Sequence, residues 1–367
     1  MEVTYRLELK ETFKQVSTEP LGLTVSLDLE VLEQFVFARL TALESGISRL
    51  SPTDADLFRQ AFRNEEICYA NSWLYILRST RNDLGGFGYK FVGNETLVGI
   101  GYRNNTIYLV HPTGAKRFNT IINFCSKIYN GIKCPIILKK IDQELYEQLK
   151  STNLFQEYGD DLTLLEEETF PEHILELEKL YSPSFGMYNQ SIPFIRKVKR
   201  FAKSPMELLA LPEVSNIEGN PGFQDLLGQN LDKYKSYLQI IREVSSQRPD
   251  NGRYKVCTYY DEYKTIHGLY IAELLEKDSM GLYCAVSSRS FPGITEWMDY
   301  DFFKQVFDDG IHYLYLGGSE TQGVDAYVKK LLPNVSPYLM RPMEMYCKVN
   351  AIPQTWVYCA NGEEQPS

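Results

Sequence analysis

The chain has 367 residues, of which 44% are hydrophobic and 23% charged, and it carries a formal net charge of −10. Such a composition belongs to a globular chain with room for two domains of about 150 to 200 residues each. The acidic balance excludes a general attraction to phosphate backbones or anionic membrane surfaces, so any nucleic-acid contact must be local.

No apolar run approaches the roughly 20 residues that a membrane helix needs. The seven cysteines (Cys68, Cys125, Cys134, Cys257, Cys284, Cys347 and Cys359) are scattered, several within apolar strand-like runs, which reads as buried reduced thiols in a cytoplasmic protein. No two form a C-x-x-C pair, and His111, His173, His267 and His312 are far apart in sequence, so no metal site is expected.

The opening "MEVTYRLELKETF" alternates polar and apolar residues without a basic stretch and apolar core, and reads as a strand rather than a leader. Helical spacing follows in "LDLEVLEQFVFARLTAL" and in "SPTDADLFRQAFRN", where Ser51 and Pro52 take cap and first-turn positions. The period then changes: "GYKFVGN", "TLVGIGYRN" and "TIYLVHP" are three short β-rich runs separated by Asn and Gly, the pattern of a meander. His111-Pro112-Thr113-Gly114 is expected to break the last of them, after which come helix "AKRFNTIINFCSKIY", strand "CPIILKKI", helix "DQELYEQLKST" and strand "LTLLEEE".

The second half repeats this order. Helical patterns cover "FPEHILELEKLY", "IPFIRKVKRFAKS" and "FQDLLGQNLDKYKSYLQIIREVSSQ", and "RYKVCTYY", "TIHGLYIAEL" and "MGLYCAVSSRS" make a second meander. Helix "TEWMDYDFFKQVFDDG", strand "IHYLYL", helix "GVDAYVKKLLP" and strand "YLMRPMEMYCKV" complete it. The matching order argues an internal duplication, with domains at 1–175 and 176–355 and a loose tail at 356–367 that ends in the polar "NGEEQPS".

Meander, helix, strand, helix, strand is the order of the GNAT acyltransferase fold. Two stretches sharpen the likeness: "EEICYANSWLYILRS" and "YLYLGGSETQGVDAYVKKLLP" resemble motif regions of the family named for the C-terminal domain of phosphatidylglycerol lysyltransferases, which is related to the Fem-type ligases. The resemblance implies an α+β chain of two tandem GNAT-like domains, each a mixed, mostly antiparallel sheet flanked by helices. It also implies transfer of an aminoacyl group, from aminoacyl-tRNA, to an amine or hydroxyl, with no cofactor and without the family's membrane part.

The residues add candidates. Gly317 and Gly318 could offer bare backbone N–H groups, and Ser319 and Glu320 open the following helix, whose N-terminus favours negative charge; an ordinary N-cap is the first reading of Ser319, with donor binding the other, and a first-turn acid explains Glu320 equally well. Tyr327 lies where many GNAT enzymes place a proton-donating tyrosine, and Lys329 and Lys330 end the same helix. Arg289 and Gly293 flank the turn after the second meander, where a donor phosphate would sit. There the usual acetyl-CoA signature is degenerate, and Pro292 removes one backbone N–H, which weakens an acyl-CoA reading.

In "IRKVKRFAKS", helical spacing puts Arg196, Lys199, Arg200 and Lys203 on one face with Ile195, Val198 and Ala202 turned inward, a local stripe suited to RNA phosphates. Trp297, Asp299, Tyr300 and Asp301 near a helix start read as structural. Two alternatives stay open: an acyl-CoA-dependent N-acyltransferase, and a catalytically silent binding protein whose cleft is closed by large side chains between the splayed strands.

Overall fold

The structure, a computed structural model, describes residues 4–9, 14–19, 23–27, 29–63, 65–81, 88–103, 106–132, 136–150, 162–166, 172–181, 193–214, 217–228, 234–247, 252–318, 345–349 and 355–359. Strands β1 (Thr4–Leu9), β2 (Lys14–Glu19) and β3 (Leu23–Leu27) lead into helix α1 (Leu29–Leu43). Strand β4 (Ile47–Arg49) and a 3-10 turn precede α2 (Ala55–Phe62) and α3 (Trp73–Thr80). The first meander is β5 (Tyr89–Gly93), β6 (Thr96–Arg103) and β7 (Thr106–Thr113), followed by α4 (Arg117–Gly131), β8 (Ile136–Ile141), α5 (Gln143–Lys150) and β9 (Leu162–Glu166).

The second half begins with β10 (Glu172–Glu176), α6 (Leu177–Tyr181), α7 (Pro193–Phe201), β11 (Leu209–Leu211), α8 (Pro221–Gly228) and α9 (Tyr234–Ser246). Its meander is β12 (Tyr254–Tyr260), β13 (Ile266–Glu276) and β14 (Ser279–Ser287). Helix α10 (Ile294–Asp308) and strands β15 (Tyr313–Gly318), β16 (Met345–Val349) and β17 (Thr355–Cys359) follow.

The chain divides into two compact units, and neither is one continuous stretch. One comprises Met1–Asp54, Ser79–Glu166 and Met345–Ser367, and the other Ala55–Arg78 and Glu167–Glu344. The first contains the sheet ordered β4-β5-β6-β7-β8-β16-β9 and a small antiparallel sheet, β17-β1-β2-β3. The second contains the sheet ordered β10-β15-β14-β13-β12-β11. Each large sheet is antiparallel except at one junction, β7 with β8 and β14 with β15, so both are mixed sheets with helices against them, the α+β architecture expected.

Several elements differ from the sequence expectations. Within "FPEHILELEKLY", Glu172–Glu176 is strand and Leu177–Tyr181 helix, because β10 pairs antiparallel with β15 and buries His173, Ile174 and Leu175. In "FQDLLGQNLDKYKSYLQIIREVSSQ" the described parts are helical, α8 and α9, and residues 229–233 lie outside the described residues. The final strand pattern forms β16, which pairs with β8 and β9 of the first unit. Thr355–Cys359, at the head of the stretch expected to be loose, pairs with β1, and 361–367 lie outside the described residues.

The apolar spacing of α10 explains how it packs. Ile294, Met298, Phe302 and Val306 recur every four residues and are all buried, joining Tyr259, Tyr270 and Leu314 of the sheet in one core. The polar groups of α10 serve the same core: the Tyr270 hydroxyl donates to Asp299 at 2.7 Å, that of Tyr259 to Asp301 at 2.8 Å, and that of Tyr181 to the Tyr300 carbonyl at 2.6 Å. Asp299, Tyr300 and Asp301 are structural, as their position at a helix start suggested.

The stretch Ala55–Arg78 is held in the second unit by buried carboxylates. Glu273 of β13 accepts hydrogen bonds from Arg59 Nε (3.1 Å), Ser72 Oγ (2.7 Å) and the Leu74 N–H (3.1 Å), and Arg59 also donates to the Tyr254 hydroxyl at 2.7 Å. Glu243 of α9 accepts from Trp73 Nε1 at 2.7 Å and from Gln247 at 3.0 Å. Trp73 is fully buried, so its single N–H needs that acceptor.

In the first unit, β7 does not stop at His111. It continues to Thr113 through a bulge, with His111 in the left-handed region (φ 49°) and its Nδ1 3.1 Å from the Lys140 carbonyl. Burial lowers the His111 pKa to about 4, below the ordinary histidine value. Between about pH 4 and pH 6.5 the unfolded chain therefore binds more protons at this site than the folded one. The stabilisation is complete above the unfolded value and is lost as the pH falls towards the folded one. Urea unfolding of the first unit should lose roughly 3 kcal/mol of stability across that window. His111→Asn, which tolerates the left-handed backbone, should flatten the dependence.

Candidate active site

The parallel junction of the second sheet is short. Strands β14 and β15 pair at Ser279 with Tyr313, Met280 with Leu314 and Gly281 with Tyr315, and beyond these pairs β14 runs on to Ser287 while β15 ends at Gly318. Past these three pairs the two strands are no longer paired with each other, which leaves an opening between them. A register shift places an extra residue, Tyr283, in β14 just past the last pair.

Tyr69 spans the opening. Its hydroxyl donates to the Leu282 carbonyl of β14 at 3.0 Å, its own carbonyl accepts from the Tyr283 hydroxyl at 2.6 Å, and the two rings lie 4.5 Å apart. Its backbone N–H donates to the carboxylate of Glu172 on β10. Against β15 the ring meets Gly317, whose φ is 73°, and a Cβ on that glycine would lie 3.0 Å from ring atoms Cε1 and Cζ. What sits on the glycine-lined turn is thus a phenol from the "CYANSW" stretch. Gly317 is needed twice, for its left-handed backbone and for its missing side chain.

The turn after β14 carries Arg289 and Gly293, the two residues expected from the sequence to meet a donor's phosphates. Arg289 is exposed there, and Gly293 is the N-cap of α10 with a φ of 88°. A Cβ on Gly293 would lie 2.7 Å from the Lys197 carbonyl oxygen, so α7 packs its backbone against the glycine. The Ile294 N–H is already donated to the Phe291 carbonyl at 3.2 Å, and Pro292 has none to give. Pro292 and Ile294 therefore offer no backbone donor to a pyrophosphate at this helix N-terminus.

Helix α7 buries Phe194, Ile195, Val198 and Phe201 and exposes Arg196, Lys197, Lys199 and Arg200. Ala202, expected to face inward, is exposed, because the helix ends at Phe201 and the chain turns; Lys203, also exposed, follows the helix rather than continuing its face. Lys197 pairs with the buried Glu296 of α10. Ser319, Glu320, Tyr327, Lys329 and Lys330 lie outside the described residues.

Burial pushes the Cys257 and Cys284 thiols above the ordinary range, which makes both inert packing groups at neutral pH. Among the described residues no group of His, Cys, Asp and Glu is arranged to hold a metal ion, and no helix is long and apolar enough to cross a membrane. Tyr69, Glu172 and Tyr283 escaped the residue-by-residue reading, although Tyr69 sits within a stretch that carried the family resemblance.

The packing of Tyr69 on Gly317 has a measurable energy. Gly317→Ala should destabilise the second unit by about 1–2 kcal/mol through the left-handed backbone alone, with more from the ring contact. Paired with Tyr69→Ala in a double-mutant cycle read by urea unfolding, the ring-contact part should vanish and the backbone part persist. A coupling energy near zero would mean that ring and glycine do not touch.

No protein-family model matches the chain, and no curated protein matches it. Solved structures do. A conserved protein of unknown function from Bacteroides thetaiotaomicron aligns over 82% of this chain and 98% of its own at 11% identity, with a TM-score of 0.56. FemX aligns over 83% and 96% at 10% identity with a TM-score of 0.51, and L-PGS from Bacillus licheniformis over 80% and 91% at 14% identity with a TM-score of 0.46. The chain is similar in fold to the first two of these proteins, and its two mixed sheets are the tandem GNAT-like architecture that the sequence resemblance implies.

Proposed function

We propose that this protein is an acyltransferase of the GNAT type that moves an aminoacyl group, from aminoacyl-tRNA, to an amine or hydroxyl acceptor. The observation that carries this reading is the row of exposed cations Arg196, Lys199 and Arg200 on one helix of a chain whose net charge is −10. A cation row in an acidic protein is a face suited to local phosphate contact. The fold shared with FemX supports the reaction class.

The acyl-CoA alternative is disfavoured by the turn after β14. There Gly293 is backed by α7, Pro292 has no N–H and the Ile294 N–H is spent, so two of the positions that could cradle a pyrophosphate offer no donor. A second reading is favoured by Tyr69: a binding protein whose donor opening is filled by its own aromatic side chain, as the opening's occupancy by that ring suggests.

Binding of charged tRNA, followed by fluorescence anisotropy over a salt series, separates the readings. The wild-type chain should bind, and Arg196→Glu with Lys199→Glu and Arg200→Glu should weaken binding and lower the log–log salt slope by about 2 to 3. A coenzyme A thioester should not raise the melting temperature. Stabilisation by the thioester alone would favour the acyl-CoA enzyme, and indifference to both ligands the binding protein.

A further inference from the structure

A chain of hydrogen-bonding groups lies at the end of the second meander, outside the opening described above. Asp261 closes the β12–β13 turn: its Oδ1 accepts the N–H groups of Tyr263 at 3.0 Å and Thr265 at 2.8 Å. That leaves Oδ2 for His267, whose Nε2 is 3.1 Å away. On the other side of the ring, His267 Nδ1 faces Ser290 Oγ at 3.5 Å. His267 is the extra residue in a register shift between β12 and β13, and the surrounding backbone fixes where its ring points.

The loop that carries Ser290 is tied to the same histidine. The Ser288 N–H donates to the His267 carbonyl at 2.7 Å, and the Thr295 hydroxyl to the Ser288 carbonyl at 3.2 Å. Ser288 Oγ accepts the Ser290 N–H at 3.1 Å and donates to Ser290 Oγ at 2.8 Å. With one hydrogen bond already accepted from Ser288, the Ser290 hydroxyl has its own proton to give, and His267 Nδ1 is the base within reach. The Asp261 carboxylate at Nε2 favours the tautomer that carries its proton there and leaves Nδ1 as the acceptor. His267 is buried and Ser290 exposed, so the chain ends on a hydroxyl that solutes can reach.

We propose that Asp261, His267 and Ser290 form a nucleophilic relay in which Ser290 takes up acyl groups from activated esters. The arrangement meets the geometric rule for an activated serine: nucleophile beside base, base oriented by a third group. The Ser290 to His267 distance is longer than in a working complex, as catalytic hydrogen bonds commonly are before substrate binds. In the step, Ser290 Oγ bonds to the ester carbonyl carbon and its proton passes to His267 Nδ1. The adduct then collapses, the bond from carbon to the leaving oxygen breaks, and that oxygen takes the proton from Nδ1 and departs as an alcohol. The serine ester left behind gives up its acyl group to water as an acid, or to an amine as an amide. Asp261 is a positioning residue, since it acts through the imidazole.

The relay needs neither tRNA nor coenzyme A, so its test is independent of the reading above. The full-length chain is treated with a fluorophosphonate probe and the adduct is mapped by peptide mass spectrometry. Modification is expected at Ser290, absent in Ser290→Ala and slower by on the order of 10²-fold in His267→Gln. The ring ¹⁵N shifts of His267 should report a proton on Nε2, with Asp261→Asn disturbing that signature and Asp261→Glu restoring it. An unmodified Ser290, or one that reacts equally fast in a folded His267→Gln chain, overturns the assignment. Should His267→Gln not fold, modification of the wild type at any residue other than Ser290 does the same.

Discussion

The second unit depends on how Glu273 is satisfied. This carboxylate is 1% exposed on a central strand, and a buried charge is tolerated only when its oxygens are fully engaged. The donors that engage it, a guanidinium, a hydroxyl and a backbone N–H, come from Arg59, Ser72 and Leu74, all in the short stretch contributed by the first half of the chain. Removing that stretch would strip the anion of those donors, at a cost on the order of 3–5 kcal/mol. The unit is therefore not a domain that can be cut out at a linker. Its sheet is built from one half of the sequence and its polar core is completed by the other.

The same stretch sets the chemistry of the opening. Once Ser72 and Trp73 are fixed by Glu273 and Glu243, Tyr69 a few residues earlier has little freedom left. Its N–H meets Glu172 on β10, its carbonyl meets Tyr283, and its ring comes to rest on Gly317. A device that anchors a segment thus also decides what can enter between β14 and β15. A long thin donor arm of the kind coenzyme A carries would have to displace a side chain bonded at both its backbone and its hydroxyl.

Much of the fold was legible because hydrophobic period and turn residues report local structure directly. Both meanders, the helix after each and the strand that follows could be read from the change of period, helped in the first meander by Asn and Gly punctuation. The exchange of segments was not legible, because periodicity says which face of an element is buried and not which sheet buries it. The strand ending in "MYCKV" looks the same whether it pairs with its own half or, as found, with β8. β10 was read as helix for a related reason: "HILELEKLY" has a leucine spacing that suits a helix, and the carboxylate and histidine that make it a strand are buried only through tertiary contacts. At the site, Gly317 and Gly293 were visible as glycines, but each is explained by a neighbour far away in sequence, Tyr69 in one case and Lys197 in the other.

These placements constrain where an acyl group could be handled. Strand β14 has two polar points of different character: at Leu282, within the strand, the carbonyl is capped by the Tyr69 phenol, whereas past Ser287 the chain becomes a loop of hydroxyls beside His267 and Arg289. In the acyl-CoA reading, an acyl group on a flexible thioester arm would have to reach the first point through the opening. One carried as an ester on the terminus of a bulky polyanion need not, since the polyanion can be held on an external cation row while its ester explores the surface. Arg196, Lys199 and Arg200 offer such a row, and α7, which carries them, packs its backbone on Gly293 at the start of α10, next to the hydroxyl loop. A filled opening is therefore compatible with acyl transfer provided that the donor is large, anionic and held from outside. The aminoacyl-tRNA reading and the Ser290 relay share that geometry, while the acyl-CoA reading needs the opening that Tyr69 fills.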